Sequence, residues 1–177
     1  TEDLLIQPDE WSTLVYAKPH IGDEEQNRID FGNYNRLSPE TAATLLDRVR
    51  VHLDRVDIVV VNEQVREGIH CPLFREGLLG LIRANPAKIF IVDSRHYSEF
   101  YLGGWLKVND VEASRLCGRE REAGHMVPRE VAIDSAEALY ARGSRPVFVT
   151  HGGRGLVVCD EGGTREIPGI QATERVD

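Results

Sequence analysis

The sequence predicts an α/β sandwich built on a mostly parallel sheet, with a small separate β element near the amino terminus. Three observations predict it. Runs of β-branched and apolar residues too short for a helix, at 58–61, 89–92 and 147–149, alternate with segments of helical periodicity. The links between them are short, as in layered α/β folds. Each run ends in polar residues, at the place where open α/β sheets collect their ligands.

In order, residues 13–18 (TLVYAK) and 28–31 (RIDF) read as two short strands joined by the acidic connection GDEEQN. Their mixed polarity fits an exposed edge-like sheet. Ser38-Pro39-Glu40 opens a helix, with serine as N-cap and proline at the first helical position. Leu45, Leu46, Val49, Leu53 and Val56 then give it one apolar face. The run Ile58-Val59-Val60-Val61 reads as a central parallel strand covered on both faces. A helix over 72–85, closed by Pro86, leads to the strand at 89–92. A short amphipathic piece at 97–102 precedes the strand around Trp105–Asn109, and helices are expected over 110–117 and 128–142. No internal repeat or linker divides the chain. It reads as one domain over 1–177, with edge strands at about 13–36 and the central part at about 38–177.

Composition narrows the function classes. The 177 residues are 41% apolar and 28% charged, enough for a real core. A net charge of −8 argues against a general binder of nucleic acid or anionic membranes. Cys71, Cys117 and Cys159 lie far apart and the six histidines are scattered, so neither a zinc site nor a disulfide framework is indicated. A reduced, cytoplasmic setting follows from that cysteine usage. No apolar run approaches the ~18 residues of a membrane span. The G-x-S-x-G, H-E-x-x-H, Walker and G-x-G-x-x-G patterns are absent, against hydrolase, P-loop and dinucleotide readings.

Two stretches carry chemistry. Thr150-His151-Gly152-Gly153-Arg154-Gly155 places three glycines in four positions between two apolar runs. Glycine allows φ > 0 and lets another molecule approach the backbone N–H groups, while Thr150 adds a hydroxyl and Arg154 a fixed positive charge. That combination suits a polyphosphate; the same residues also describe a glycine-rich hairpin closing two strands. His151, inside the glycine loop, reads as a solvent-facing turn residue, with contact to a nucleotide as the other reading. Asn109-Asp110-Val111-Glu112 is a capping box, Asn at the N-cap and Glu at N3, worth about 1 kcal/mol without any function. A helix start can also attract phosphate, with a carboxylate holding a hydrated cation. At the ends of the strands at 58–61 and 89–92, Glu63 and Gln64 can accept hydrogen bonds from hydroxyls or cap the following turn. Asp93 and Arg95 read as a surface ion pair, with balancing of phosphate charge as the other reading of Arg95.

The string VTHGGRGLVV, its acidic-glycine turn Asp160-Glu161-Gly162-Gly163, and LKVNDVEASRLCG resemble the PfkB/ribokinase family of carbohydrate kinases. Val108 stands where that family commonly has proline. The resemblance implies a three-layer ribokinase-like fold with part of a small β lid at the amino end. It implies ATP and Mg²⁺ as cofactors, and a sugar or sugar phosphate as acceptor. Asn109, Thr150, Gly152, Arg154 and Gly155 would hold the nucleotide. Asn109 and Glu112 would organise Mg²⁺ and phosphate, and Glu63, Gln64, Asp93 and Arg95 would face the substrate. An exposed lid sheet with unpaired edges often seeks a partner, so a homodimer through it is one expectation, with the oligomeric state left open. The run DIVVVNEQVREGI followed by IFIVDSR looks closest to the heptose-phosphate kinase branch. In the family the strand after the glycine turn leads to a G-A-G-D signature whose aspartate is the catalytic base. The chain begins at Thr1 and stops at Arg175-Val176-Asp177, so it is expected to be an excised part lacking that base and inactive alone. The competing class is a non-catalytic nucleotide- or sugar-binding sensor or scaffold of the same fold. A third is an α/β sugar-binding domain with no nucleotide.

Overall fold

A computed structural model describes residues 6, 10–32, 34–119 and 126–170. His125 and the run Arg175-Val176-Asp177 lie outside the described residues. The chain divides into two compact units, Thr1–Val56 with Val65–Leu81, and Asp57–Gln64 with Ile82–Asp177.

The first unit carries the small β element, one whole helix and most of another. Strand β1 (Val15–Ala17) pairs antiparallel with β4 (Ile29–Phe31), and between them β2 (His20–Ile21) and β3 (Glu24–Glu25) form a hairpin of their own. The two expected strands are therefore present but shorter, with the acidic connection folded into the inner hairpin. Register sorts the faces: Val15 is opposite Phe31 and Ala17 opposite Ile29, while Tyr16 is opposite Asp30. Arg28 stacks over the Tyr16 ring and bonds both carboxylate oxygens of Asp30. Helix α1 (Pro39–His52) starts as its sequence dictates, with the Ser38 hydroxyl accepting from the Thr41 N–H at 3.1 Å. Helix α2 (Pro72–Ala84) meets α1 at Gly77, where an added Cβ would strike the Leu46 side chain.

The second unit is a six-stranded sheet in the order β10-β9-β8-β7-β6-β5. Strands β5 (Ile58–Glu63), β6 (Ile89–Ser94), β7 (Trp105–Asn109) and β8 (Val147–Thr150) run parallel. Strands β9 (Leu156–Asp160) and β10 (Gly163–Ile167) complete it antiparallel. Helices α3 (Asp110–Leu116) and α4 (Arg129–Gly143) pack against each other, and both contact β8. Leu139 of α4 is buried along with Phe90, Val92, Leu106, Val108, Val147, Val149 and Val157 of the sheet. The expected α/β class, with a mostly parallel sheet and small amino-terminal β hairpins, is the class observed.

One expectation about the sheet is corrected. Strand β5 is the edge strand, not a central one, and Ile58 and Val60 are 50% and 66% exposed while Val61 on the other face is buried. An unbroken β-branched run signals a strand able to be covered twice. It says nothing about how many neighbours that strand has.

Candidate functional site at the carboxyl ends of the parallel strands

Because β5 to β8 are parallel and adjacent, their carboxyl ends lie along one edge of the sheet. Register places Glu63 opposite Ser94, Asp93 opposite Lys107, and Asn109 opposite Thr150. The four polar strand ends thus form one rim.

On the β7–β8 side, β8 turns into β9 through residues 151–155. The bonds His151 N–H to Gly155 O (2.8 Å), Arg154 N–H to His151 O (3.1 Å) and Gly155 N–H to Gly152 O (3.1 Å) close the turn. It is a hairpin connection, with Thr150 opposite Leu156. Yet the N–H groups of Gly152 and Gly153 donate no hydrogen bond among the described residues, and an added Cβ at either would meet open space. Gly152 also has φ +55°, a conformation that favours glycine. Gly155 is different. It has φ +98°, and a Cβ there would collide with the Ile167 carbonyl and the Gly169 nitrogen. It is required by close packing against the end of β10, so its place among the expected nucleotide contacts rests on the resemblance alone.

Beside this turn, α3 begins with a reciprocal cap. Asn109 Oδ1 accepts from the Glu112 N–H at 2.8 Å, and Glu112 Oε2 accepts from the Asn109 N–H at 2.9 Å. The Asn109 side-chain amide nitrogen and Glu112 Oε1 keep their capacity free among the described residues. The Thr150 hydroxyl reaches the Val108 carbonyl at 3.4 Å, a long contact that leaves its lone pairs available. Arg154 is exposed, with one guanidinium nitrogen 3.7 Å from Met126 Sδ.

His151 is corrected from solvent-facing to buried, at 8% exposure. Its Nε2 lies 2.9 Å from the Val127 carbonyl oxygen and 3.3 Å from Asp110 Oδ2. Sequence position suggested exposure because the residue sits in a turn; the partners that bury its ring come from α3 and from the approach to α4.

On the β5–β6 side, Glu63 is only 2% exposed. Its Oε2 accepts from the Ser94 hydroxyl (2.7 Å) and the His96 N–H (2.9 Å), and Oε1 lies 2.8 Å from His96 Nδ1. Burial raises the carboxyl pKa, but the bonds from the His96 ring, the Ser94 hydroxyl and the His96 backbone outweigh it and hold Glu63 below the ordinary carboxylate value. The Ser94 hydroxyl also accepts from the Tyr97 N–H at 2.9 Å, so one carboxylate organises the whole exit from β6. Gln64 donates to Asn62 at 2.6 Å. The expected Asp93–Arg95 pair is not formed: Asp93 pairs with Lys107 at 3.0 Å, across the strand register. Arg95 is exposed, and its backbone carbonyl accepts from Arg115 at 2.9 Å. Ser94 and Asp110 fall within the polar strand ends that the sequence singles out, but it does not show their partners Glu63 and His151, and it assigns His96 and Lys107 no role. His96 carries a positional signal, since it follows the singled-out Arg95. Among the described residues no group of three or more His, Cys, Asp or Glu side chains converges to hold a metal ion.

A parallel sheet whose carboxyl edge carries an open glycine turn beside a capped helix start makes this an α/β protein with a candidate phosphate-binding rim. Residues 98–177, which include that turn and cap, match the model of the pfkB family carbohydrate kinases. No curated protein sequence matches it. Solved structures share the fold. Phosphofructokinase-2 from Escherichia coli, in complex with fructose-6-phosphate, matches 84% of this chain and 49% of its own at 18% identity and a TM-score of 0.57. Ribokinase from Giardia lamblia matches 87% of this chain and 46% of its own at 18% identity, also with a TM-score of 0.57. The chain thus spans about half the length of these solved relatives. Among the described residues no helix is long and apolar enough to cross a membrane.

Proposed function

We propose that this chain supplies the nucleotide-binding edge of an ATP-dependent sugar or sugar-phosphate kinase. One observation carries the reading: the N–H groups of Gly152 and Gly153, unbonded among the described residues, lie in the turn after β8, the strand that pairs Thr150 with the Asn109 helix cap on β7. Unengaged backbone amides in an open glycine turn are an anion cradle that keeps sequence specificity out of the contact and lets phosphate oxygens approach the main chain. In phosphoryl transfer the protein mainly positions groups and offsets negative charge. Gly152 and Gly153 would donate to phosphate oxygens, the Asn109 amide would add a donor, the Thr150 O–H would have to turn from its long Val108 contact to add another, and Arg154 would add charge.

The donor set also fits Mg²⁺. That ion keeps several waters and takes one or two carboxylates, and Glu112 Oε1 is such an oxygen, held by the capping bond of its sister oxygen. When bound, the ion would screen the phosphate charge. The acceptor sugar would lie toward the β5–β6 end of the rim, where Gln64 and Arg95 remain accessible. Glu63 has spent its oxygens on Ser94 and His96, so it would act on substrate through them.

Titration calorimetry of the chain with ATP and Mg²⁺ tests the reading. Saturable binding that is lost when ATP is replaced by adenosine is the expected result. No heat at millimolar nucleotide would remove the basis for the proposal.

A further inference from the structure

One imidazole ties three chain segments together beside the glycine turn. His151 Nε2 is 2.9 Å from the carbonyl oxygen of Val127, which leads into α4, and 3.3 Å from Oδ2 of Asp110, the first residue of α3. A carbonyl oxygen only accepts, so Nε2 must carry the hydrogen, and in the neutral ring Nδ1 is the bare nitrogen. The Arg154 guanidinium has no acceptor, so its nitrogen 3.4 Å from the same protonated Nε2 makes no bond to it. The His151 backbone is fixed as well, its N–H on Gly155 O and its carbonyl on Arg154 N–H.

A five-residue turn containing three glycines is expensive to hold in one conformation, because glycine loses more backbone freedom on ordering than any other residue. The hydrogen bonds inside the turn fix its curvature. They do not fix its placement relative to α3. Within the turn, the His151 ring makes the contact to that helix.

We propose that His151 is a positioning residue that presets the glycine turn against the start of α3, so that the N–H groups of Gly152 and Gly153 are already aligned before nucleotide arrives. The consequence for affinity rests on the nucleotide-binding reading above; the geometry does not. Preorganisation of this kind raises affinity by lowering the ordering cost of binding.

The test uses this chain as wild type, His151→Gln and His151→Leu. Glutamine can place an N–H near the position of imidazole Nε2, whereas leucine fills similar space with no donor. Nitrogen-15 spectra of the wild-type imidazole should show the Nε2–H tautomer. Amide exchange at Arg154 and Gly155 should accelerate by roughly tenfold or more in His151→Leu and stay near wild type in His151→Gln. Affinity for ATP with Mg²⁺ should fall about tenfold in the leucine variant and recover in the glutamine variant. An Nδ1–H tautomer in the wild type overturns the proposal even if the leucine variant fails to fold. So does unchanged turn exchange in a folded leucine variant. If the tautomer and the exchange pattern are as expected but the wild type binds no nucleotide, the kinase reading falls and the positioning role stands.

Discussion

The two ends of the same sheet edge spend their hydrogen bonds in opposite ways. At the β5–β6 end a buried carboxylate uses both oxygens on Ser94 and His96, and little capacity is left over. At the β7–β8 end, the turn binds itself with three backbone bonds yet leaves the Gly152 and Gly153 amides open among the described residues. Unpaired polar groups are costly where water is excluded and cheap where it is not, so the open amides belong to an exposed turn and the saturated carboxylate to a buried one. The difference separates a part of the rim built for rigidity from a part built to receive something. The glycines of the turn repeat that contrast on a smaller scale, since Gly155 is packed and Gly153 is open.

The largest test of this contrast is Gly155→Ala. The added methyl would have to displace the backbone of residues 167–169 and adopt a φ of +98°. Overpacking against backbone together with left-handed strain should cost about 3 kcal/mol or more. That corresponds to a fall in melting temperature of roughly 6–12 °C for a chain of this size. A variant melting within about 2 °C of wild type would show that the turn is looser than its contacts imply.

Next in size is Glu63. Removing it in Glu63→Ala strands the Ser94 hydroxyl and the His96 N–H in a buried place, at a cost of about 2–3 kcal/mol. Glu63→Gln separates charge from shape. Because the folded-state pKa of Glu63 is lowered, its stabilisation is fully present above the unfolded carboxylate value and is lost as pH falls through the folded one. The gap in melting temperature between wild type and Glu63→Gln should therefore be widest near neutral pH and close as the solution is taken below about pH 4. A gap independent of pH from 7 to 3 would mean the carboxylate charge is not what holds the β6 exit.

How far the sequence revealed this arrangement depends on whether the relevant physics is local. The Ser38 cap, the Asn109–Glu112 box, the Asp160–Gly163 turn and the strand runs are set by residues within a few positions of one another, and each appears where the pattern places it. The exposure of β5, the partner of Asp93 and the burial of His151 depend on which distant segment lies alongside. The Glu63–His96 pair spans a strand, a helix and a second strand, and nothing in either local stretch marks it. The glycine turn was legible as a place of unusual backbone freedom. That its first two glycines are open and its last is packed required seeing β10 return beside it.

Gly153→Ala should have the smallest effect on the fold and the most specific effect on the site. A Cβ there meets no neighbouring atom, and its φ lies outside the range that favours glycine. Surface substitutions free of such features usually change stability by less than about 0.5 kcal/mol, so the melting temperature should hold within about 2 °C. The same methyl would stand in the open space through which a phosphate must approach the turn, and affinity for ATP with Mg²⁺ should drop on the order of tenfold, or about 1.4 kcal/mol. Adenosine, which brings no phosphate, should be indifferent to the change. If Gly153→Ala leaves nucleotide affinity untouched while Gly155→Ala unfolds the chain, the glycines of this turn serve packing alone, and the contrast between the two ends of the rim reduces to one of exposure.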